Sequence, residues 1–382
     1  MSAAAPGRAP WLTRALVAAL VWTGVVGLRL LASAHPSLVE QVYARGVYPV
    51  VAGATAALTG AVPFSVAEMA VLLAAAGSPL LAVRAARRRR RAGPRSPRLV
   101  RVAQVALGAA LVVLAFDLSW GLNYYREPVA VLLSYDVAPS TSAELAALAD
   151  DLVEESRRLR QGLPEDGQGV MRLPDGATGA LRRAPRPWAD GGVEGLAVPT
   201  MRGRPKLFVL SPAMAYLGIS GLFVPFTAEP TVNGTLPDWE IPFTASHEIA
   251  HQRGFAREDD ANYVGYLACR AHPDPDFRYS GTFRAALYVL RALALADRAA
   301  YARARSALAP PLQRDLRALA AWAARYESRL GEVQEKVNDA YLKTQGQPEG
   351  VRSYGRMVDL LLAERRVAGA RPSAGPGRRR IR

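Results

Sequence analysis

Thr244-Ala245-Ser246-His247-Glu248-Ile249-Ala250-His251-Gln252-Arg253-Gly254-Phe255-Ala256-Arg257-Glu258-Asp259-Asp260-Ala261-Asn262 is the stretch that decides how this chain is read. It holds two of the chain's four histidines, His247 and His251. Residues four apart lie on one face of a helix, so both imidazoles can turn toward a single ion. Glu248 projects beside them, within reach of a water on that ion. Two neutral nitrogen donors, a carboxylate base and an open coordination position are what metal-assisted hydrolysis requires. The competing reading is a surface helix with two solvated histidines.

Two histidines do not hold zinc, and a third protein ligand is needed. A metzincin spacing would place a histidine at 257, where the chain has Arg257. A thermolysin-like arrangement takes a carboxylate from the next helix, and Glu258-Asp259-Asp260-Ala261-Asn262 fits that place. Glu258 is the expected ligand, with Asp259 and Asp260 as alternatives and Asn262 one turn on as a hydrogen-bonding support. An acidic cluster opening a helix is also stabilised by the helix dipole with no metal present. His272, in Ala-His-Pro-Asp-Pro-Asp, reads as a solvated loop histidine.

Working outward toward the N-terminus, the composition changes. Three apolar runs of spanning length are expected at about 11–34, 64–83 and 100–122. Arg14 and Arg29 near the ends of the first run are free to snorkel. Ala32-Ser33-Ala34 resembles a cleavage site, but the run is long for a signal peptide, so an uncleaved anchor is expected. Residues 47–63, broken by Pro49, Gly53 and Gly60, are expected at the outer interface. Arg84 and Arg87 to Arg91 form a cytoplasmic stop, which three spans satisfy together with an inside N-terminus. The region after the third span is therefore expected outside.

The net charge of +15 would suggest nucleic acid if it were spread over the surface. Residues 84–101 hold nine arginines and residues 365–382 hold seven, with no acid in either, so the remainder is close to neutral. The first block is a topology signal and the second a disordered tail at 367–382, so no nucleic-acid partner is expected. The single cysteine, Cys269, excludes an intrachain disulfide framework. In the soluble part, Thr141-Ser142-Ala143-Glu144 is a capping box opening a helix to about Gln161. Residues 162–205 read as a long loop, and Lys206–Leu210 as a strand that could bind substrate backbone by edge addition or simply serve the core. Helices are expected at Glu258–Cys269, Phe283–Ala309, Pro311–Leu330, Glu332–Thr344 and Tyr354–Arg366. Trp322 and Tyr326 read as core aromatics.

The opening stretch, together with Trp120-Gly121-Leu122-Asn123-Tyr124-Tyr125-Arg126, Pro225-Phe226-Thr227-Ala228-Glu229 and Gly350-Val351-Arg352-Ser353-Tyr354, resembles the bacterial membrane-protein family called domain of unknown function 3810. Its metal motif is similar to that of gluzincin-type zinc metallopeptidases. The whole predicts a mainly α membrane protein: a membrane region at 1–123, then an extracytoplasmic, mostly helical zincin-like domain with a small β-sheet at 124–366. The expected function is a multi-pass zinc endopeptidase of the cytoplasmic membrane, with one Zn2+ per chain. His247, His251 and Glu258 would be the ligands and Glu248 the general base. Tyr354 would stabilise the oxyanion, with Tyr216 as the alternative. Its partners would be the lipid bilayer and a peptide or envelope-protein substrate. The alternative is an inactive zincin-fold binding or scaffold protein.

Overall fold

The structure, a computed structural model, describes residues 10–91, 98–189, 192–193, 195–347 and 356–370. The chain divides into two compact units: residues 1–127 with 201–203 and 224–229, and the rest.

In the first unit, α1 spans Pro10–Ala34. A short α2 (Pro36–Leu38) passes through the π-helical stretch Val39–Val47 into α3 (Tyr48–Thr59). Then follow α4 (Val66–Arg91) and α5 (Arg98–Ser119). Among the described residues, three helices are long and apolar enough to cross a membrane: Leu12–Ala34, Val66–Arg87 and Arg98–Ser119. At about 1.5 Å per residue each exceeds the ~30 Å hydrocarbon core, which α3 alone does not. Arg29 does not snorkel as expected. Its Nε and one terminal nitrogen each donate at 2.8 Å to the carboxylate of Asp117, which is fully buried on α5. This bidentate geometry satisfies both charges at once. Glu229 is equally committed, accepting from the Val66 and Ala67 N–H groups at 2.9 and 3.0 Å and so capping the start of α4.

The second unit begins with α6 (Val129–Leu132) and α7 (Ser142–Arg160). The capping box at Thr141 and Glu144 forms as its sequence requires. Residues 162–205 are more ordered than a loop: they hold α8 (Gly176–Arg183) and a hairpin of β1 (Gly192–Val193) and β2 (Leu196–Ala197). The expected strand at 206–210 shortens to β3 (Lys206–Leu207), and Ser211–Tyr216 forms α9. With β4 (Gly221–Val224) and β5 (Glu229–Val232) it makes a small mixed sheet in the order β3-β5-β4, with β3 and β5 parallel.

The remaining elements are helices: α10 (Ile241–Gln252), α11 (Glu258–Ala271), α12 (Pro275–Ala296), α13 (Arg298–Ser306), α14 (Pro310–Arg325), α15 (Arg329–Thr344) and α16 (Met357–Ala370). The helix expected over Phe283–Ala309 is cut at Asp297, whose carboxylate accepts from the Ala299 and Ala300 N–H groups and starts α13. Gly331, the residue left between the expected helices Pro311–Leu330 and Glu332–Thr344, falls inside α15. Ser328 caps α15 by accepting from the Gly331 N–H, so the break falls at 326–328. Helices α10, α11 and α12 form the centre of the core, around Ile249, Val264, Phe283 and Val289. The tail beyond Ala370 lies outside the described residues.

Candidate metal centre

Helix α10 enters through the 3-10 turn Asp238–Glu240, with Pro242 in its first turn, where a missing N–H costs nothing. It ends in a Schellman motif. Gly254 takes φ 87°, its N–H donates to the His251 carbonyl at 2.9 Å, and the Phe255 N–H donates to the Ala250 carbonyl at 3.1 Å. This tight reversal returns the chain as α11 against α10. Gly265, two turns into α11, sets the approach: a Cβ there would lie 3.0 Å from the His247 backbone nitrogen.

The consequence is that the first residue of α11 faces the two histidines. Glu258 Oε2 lies 3.4 Å from His247 Nε2 and 3.7 Å from His251 Nε2. One ligand atom from each of the three residues lies within 4.8 Å of the others. Bonds of ~2.0–2.2 Å in a tetrahedral site separate donors by roughly 3.3–3.6 Å, so these spacings are ones a single ion can bridge. The donor set is right as well, with two imidazole nitrogens and one carboxylate oxygen. Glu258 Oε2 and His247 Nδ1 are buried with no hydrogen-bond partner. His251 Nδ1 lies 2.8 Å from the Phe255 carbonyl. A carbonyl only accepts, so Nδ1 carries the proton and Nε2 is left to face Glu258.

Glu248 is 4% exposed, and its Oε2 also lacks a partner. It lies under β4, receiving a hydrogen bond from the Phe223 N–H, and a Cβ on Gly221 would come within 2.5 Å of its Oε1. Burial pushes the Glu248 carboxyl up to about 8. Burial opposes charge on His251, but Glu258 and Glu248 outweigh it and lift the imidazole to about 9. Glu258 is buried too, yet the paired histidines hold its carboxyl far below the usual range. Without a cation, the proton on His251 is the site's countercharge, which a metal would displace.

The two alternative carboxylates are occupied elsewhere. Asp259 pairs with Arg257 at 3.1 Å, and Asp260 accepts from the Val129 N–H at 3.1 Å. Asn262 hydrogen-bonds Tyr288 at 3.3 Å rather than a ligand residue. Tyr354 lies outside the described residues, and the Tyr216 ring packs edge-on against Tyr326 at 5.2 Å. His272 is not solvated: it is 2% exposed and stacked on Phe277 at 3.8 Å. Cys269 is fully buried, and burial pushes its thiol up to about 12, which leaves it unreactive.

Sequence reading missed three features of the site. The first is β4; the short apolar run Leu222-Phe223-Val224 was its only signal. The other two are on α12. Arg284 donates to the buried Glu240 at 2.9 Å, and the Tyr288 hydroxyl donates to Asn262 at 3.3 Å, one turn along α11 from Glu258. Nothing in the local sequence points to either.

A family profile described as "Protein of unknown function (DUF3810)" matches residues 43–362, most of the chain. The chain belongs to this family. Both α10 and α11 fall within the matched region. No curated protein matches the chain. No solved structure matches it either.

Proposed function

We propose that this member of the family is a membrane-anchored, zinc-dependent endopeptidase of gluzincin-like type, held in the cell membrane by three spans with its second unit outside. One observation carries the reading. A buried carboxylate, Glu248, stands beside the His247–His251–Glu258 donor set without being part of it, and one of its oxygens is unpartnered. A purely structural metal site has no use for such a base. Zinc held by His247, His251 and Glu258 would polarise a peptide carbonyl and acidify a water toward neutrality. Glu248 takes the proton from the attacking water and returns it to the departing amine. The Phe223 N–H holds the Glu248 carboxylate in place, and burial raises its affinity for a proton, which strengthens it as a base. Of the sheet's two edge strands, β4, which lies against Glu248, suits an extended peptide backbone better than Lys206–Leu207 does. Tyr288, whose hydroxyl reaches Asn262 one turn along α11 from Glu258, is the hydroxyl we assign to the oxyanion. The charge pattern supports the orientation, since the arginines in the last turns of α4 belong on the cytoplasmic side.

The test is metal content by mass spectrometry and peptide cleavage, for wild type, His251→Ala and Glu248→Gln purified in detergent. About one zinc per chain, lost in His251→Ala, with cleavage lost in a metal-loaded Glu248→Gln, is the expected result. Cleavage undiminished in Glu248→Gln would sink the mechanism, and a metal-loaded wild type that cleaves nothing would favour a scaffold.

A further inference from the structure

The second unit contains a cleft of about 1190 Å³. Small-molecule pockets run to roughly 300–1,000 Å³, so this one has room for more than a single side chain. Its position ties it to the metal centre. One wall is α12, through Arg284, Leu287 and Tyr288. Arg284 stands over the Phe243 ring at 6.0 Å, and that ring is 6.3 Å from the His247 ring. The Tyr288 hydroxyl meets Asn262, one helical turn from Glu258. A second wall, Ala215 and Gly218, lies on the segment that runs directly into β4, whose Gly221 covers Glu248. The third wall is α14 with the start of α15.

The chemistry of the lining selects the occupant. Leu287, Tyr288 and Trp322 are packed against the hydrophobic core, so their surfaces are fixed. The Trp322 indole is further held by its N–H donating to Thr235 Oγ1 at 3.0 Å, and Tyr326 lies 5.8 Å from it. Arg284 brings no net positive charge, because the buried Glu240 neutralises it. The other charged lining groups, among them Glu327, Glu332 and Arg291, are exposed at the rim. We propose that this cleft is the specificity subsite of the chain: it takes a large apolar or aromatic side chain flanking the scissile bond of an extended polypeptide, packed against Trp322. The inference rests on the peptidase reading above and adds the substrate class.

The experiment is cleavage of a randomised peptide library by the full chain in detergent, read by mass spectrometry, with kinetics on the best peptide. Trp322→Ala opens the subsite, and Ala323→Trp, on the exposed face of α14 that lines the cleft, fills it without touching the core. Wild type should cut beside Phe, Tyr, Trp or Leu. Both substitutions should lower kcat/KM for such peptides on the order of 10- to 200-fold, mainly through KM, with zinc content unchanged. A wild type that cuts with no side-chain preference, or variants that keep its preference and KM, would overturn the subsite and leave the peptidase standing; a cleft that holds lipid instead would give the latter result. A zinc-loaded wild type that cuts no peptide overturns both readings.

Discussion

Gly221→Ala tests the site without altering any ligand. The new methyl would lie 2.5 Å from Glu248 Oε1 and 2.8 Å from both Glu248 Cγ and Thr244 Cγ2. Ordinary contacts need about 3.5 Å, so one partner must withdraw by about 1 Å. The Glu248 carboxylate makes the closest contact and is the far end of a flexible side chain, so it gives way most, with a smaller shift at Thr244. A base displaced by about 1 Å costs roughly 100-fold in rate, or about 2.7 kcal/mol in the barrier. None of the three atoms nearest the new methyl group belongs to His247, His251 or Glu258, so zinc should still be bound at one per chain. The assay is kcat on a cleaved peptide beside zinc content and a thermal melt. Full activity in a zinc-loaded Gly221→Ala would refute the placement of Glu248 as the base under β4. Loss of zinc along with activity would show that β4 shapes the metal site rather than the base.

Gly265→Ala should weaken zinc binding on the order of tenfold while leaving the chain folded, because its Cβ would press on the His247 backbone at 3.0 and 3.1 Å and move the imidazole away from Glu258; titration with a competing chelator measures it. His272 should make stability depend on pH. Asp274 N–H donates to its Nδ1 at 3.0 Å, so the neutral ring must carry its proton on Nε2, facing the Arg183 carbonyl at 3.1 Å. Burial first of all lowers its pKa below 6.5. The unfolded chain then takes up the proton first, so this contribution is complete above about pH 6.5 and falls as pH drops, by at most about 1.4 kcal/mol per unit. Melting wild type and His272→Gln between pH 7.5 and 5.5 checks this, and parallel curves would contradict it. Asp117→Asn leaves Arg29 without its carboxylate partner and should destabilise the chain by about 3–5 kcal/mol, whereas Arg29→Leu with Asp117→Leu should recover most of that. A single variant as stable as wild type in a detergent melt would show that Arg29 reaches water.

Local rules read much of this chain correctly because they act over a few residues. The 3.6-residue period places His247 and His251 on one face, and the box at Thr141 and Glu144 starts α7, both from neighbouring positions. The apolar runs need only length and composition to be recognised. The errors came where one buried group answers a distant one. Arg29 lies 88 positions from Asp117, so its partner is invisible in the run around it. His272 sits among prolines and aspartates that look like loop, yet α12 brings Phe277 beneath its ring. Asp297 is the exception, a local cap on the Ala299 and Ala300 N–H groups that breaks a helix the apolar pattern would carry through.

The sequence by itself determined the donor types, their spacing on α10 and the three apolar segments, since these depend on residue identity and helical period alone. Only the tertiary structure shows that Glu258, rather than Asp259 or Asp260, is the carboxylate brought to the two histidines. The three are adjacent and chemically alike, and a helix points successive side chains about 100° apart, so the packing of α11 on α10 decides which one faces the histidines. The same packing placed Gly221 and Phe223 over Glu248, and Arg284 and Tyr288 along the cleft, because each of these pairs lies on an element far from α10 in sequence and meets it only when the core closes.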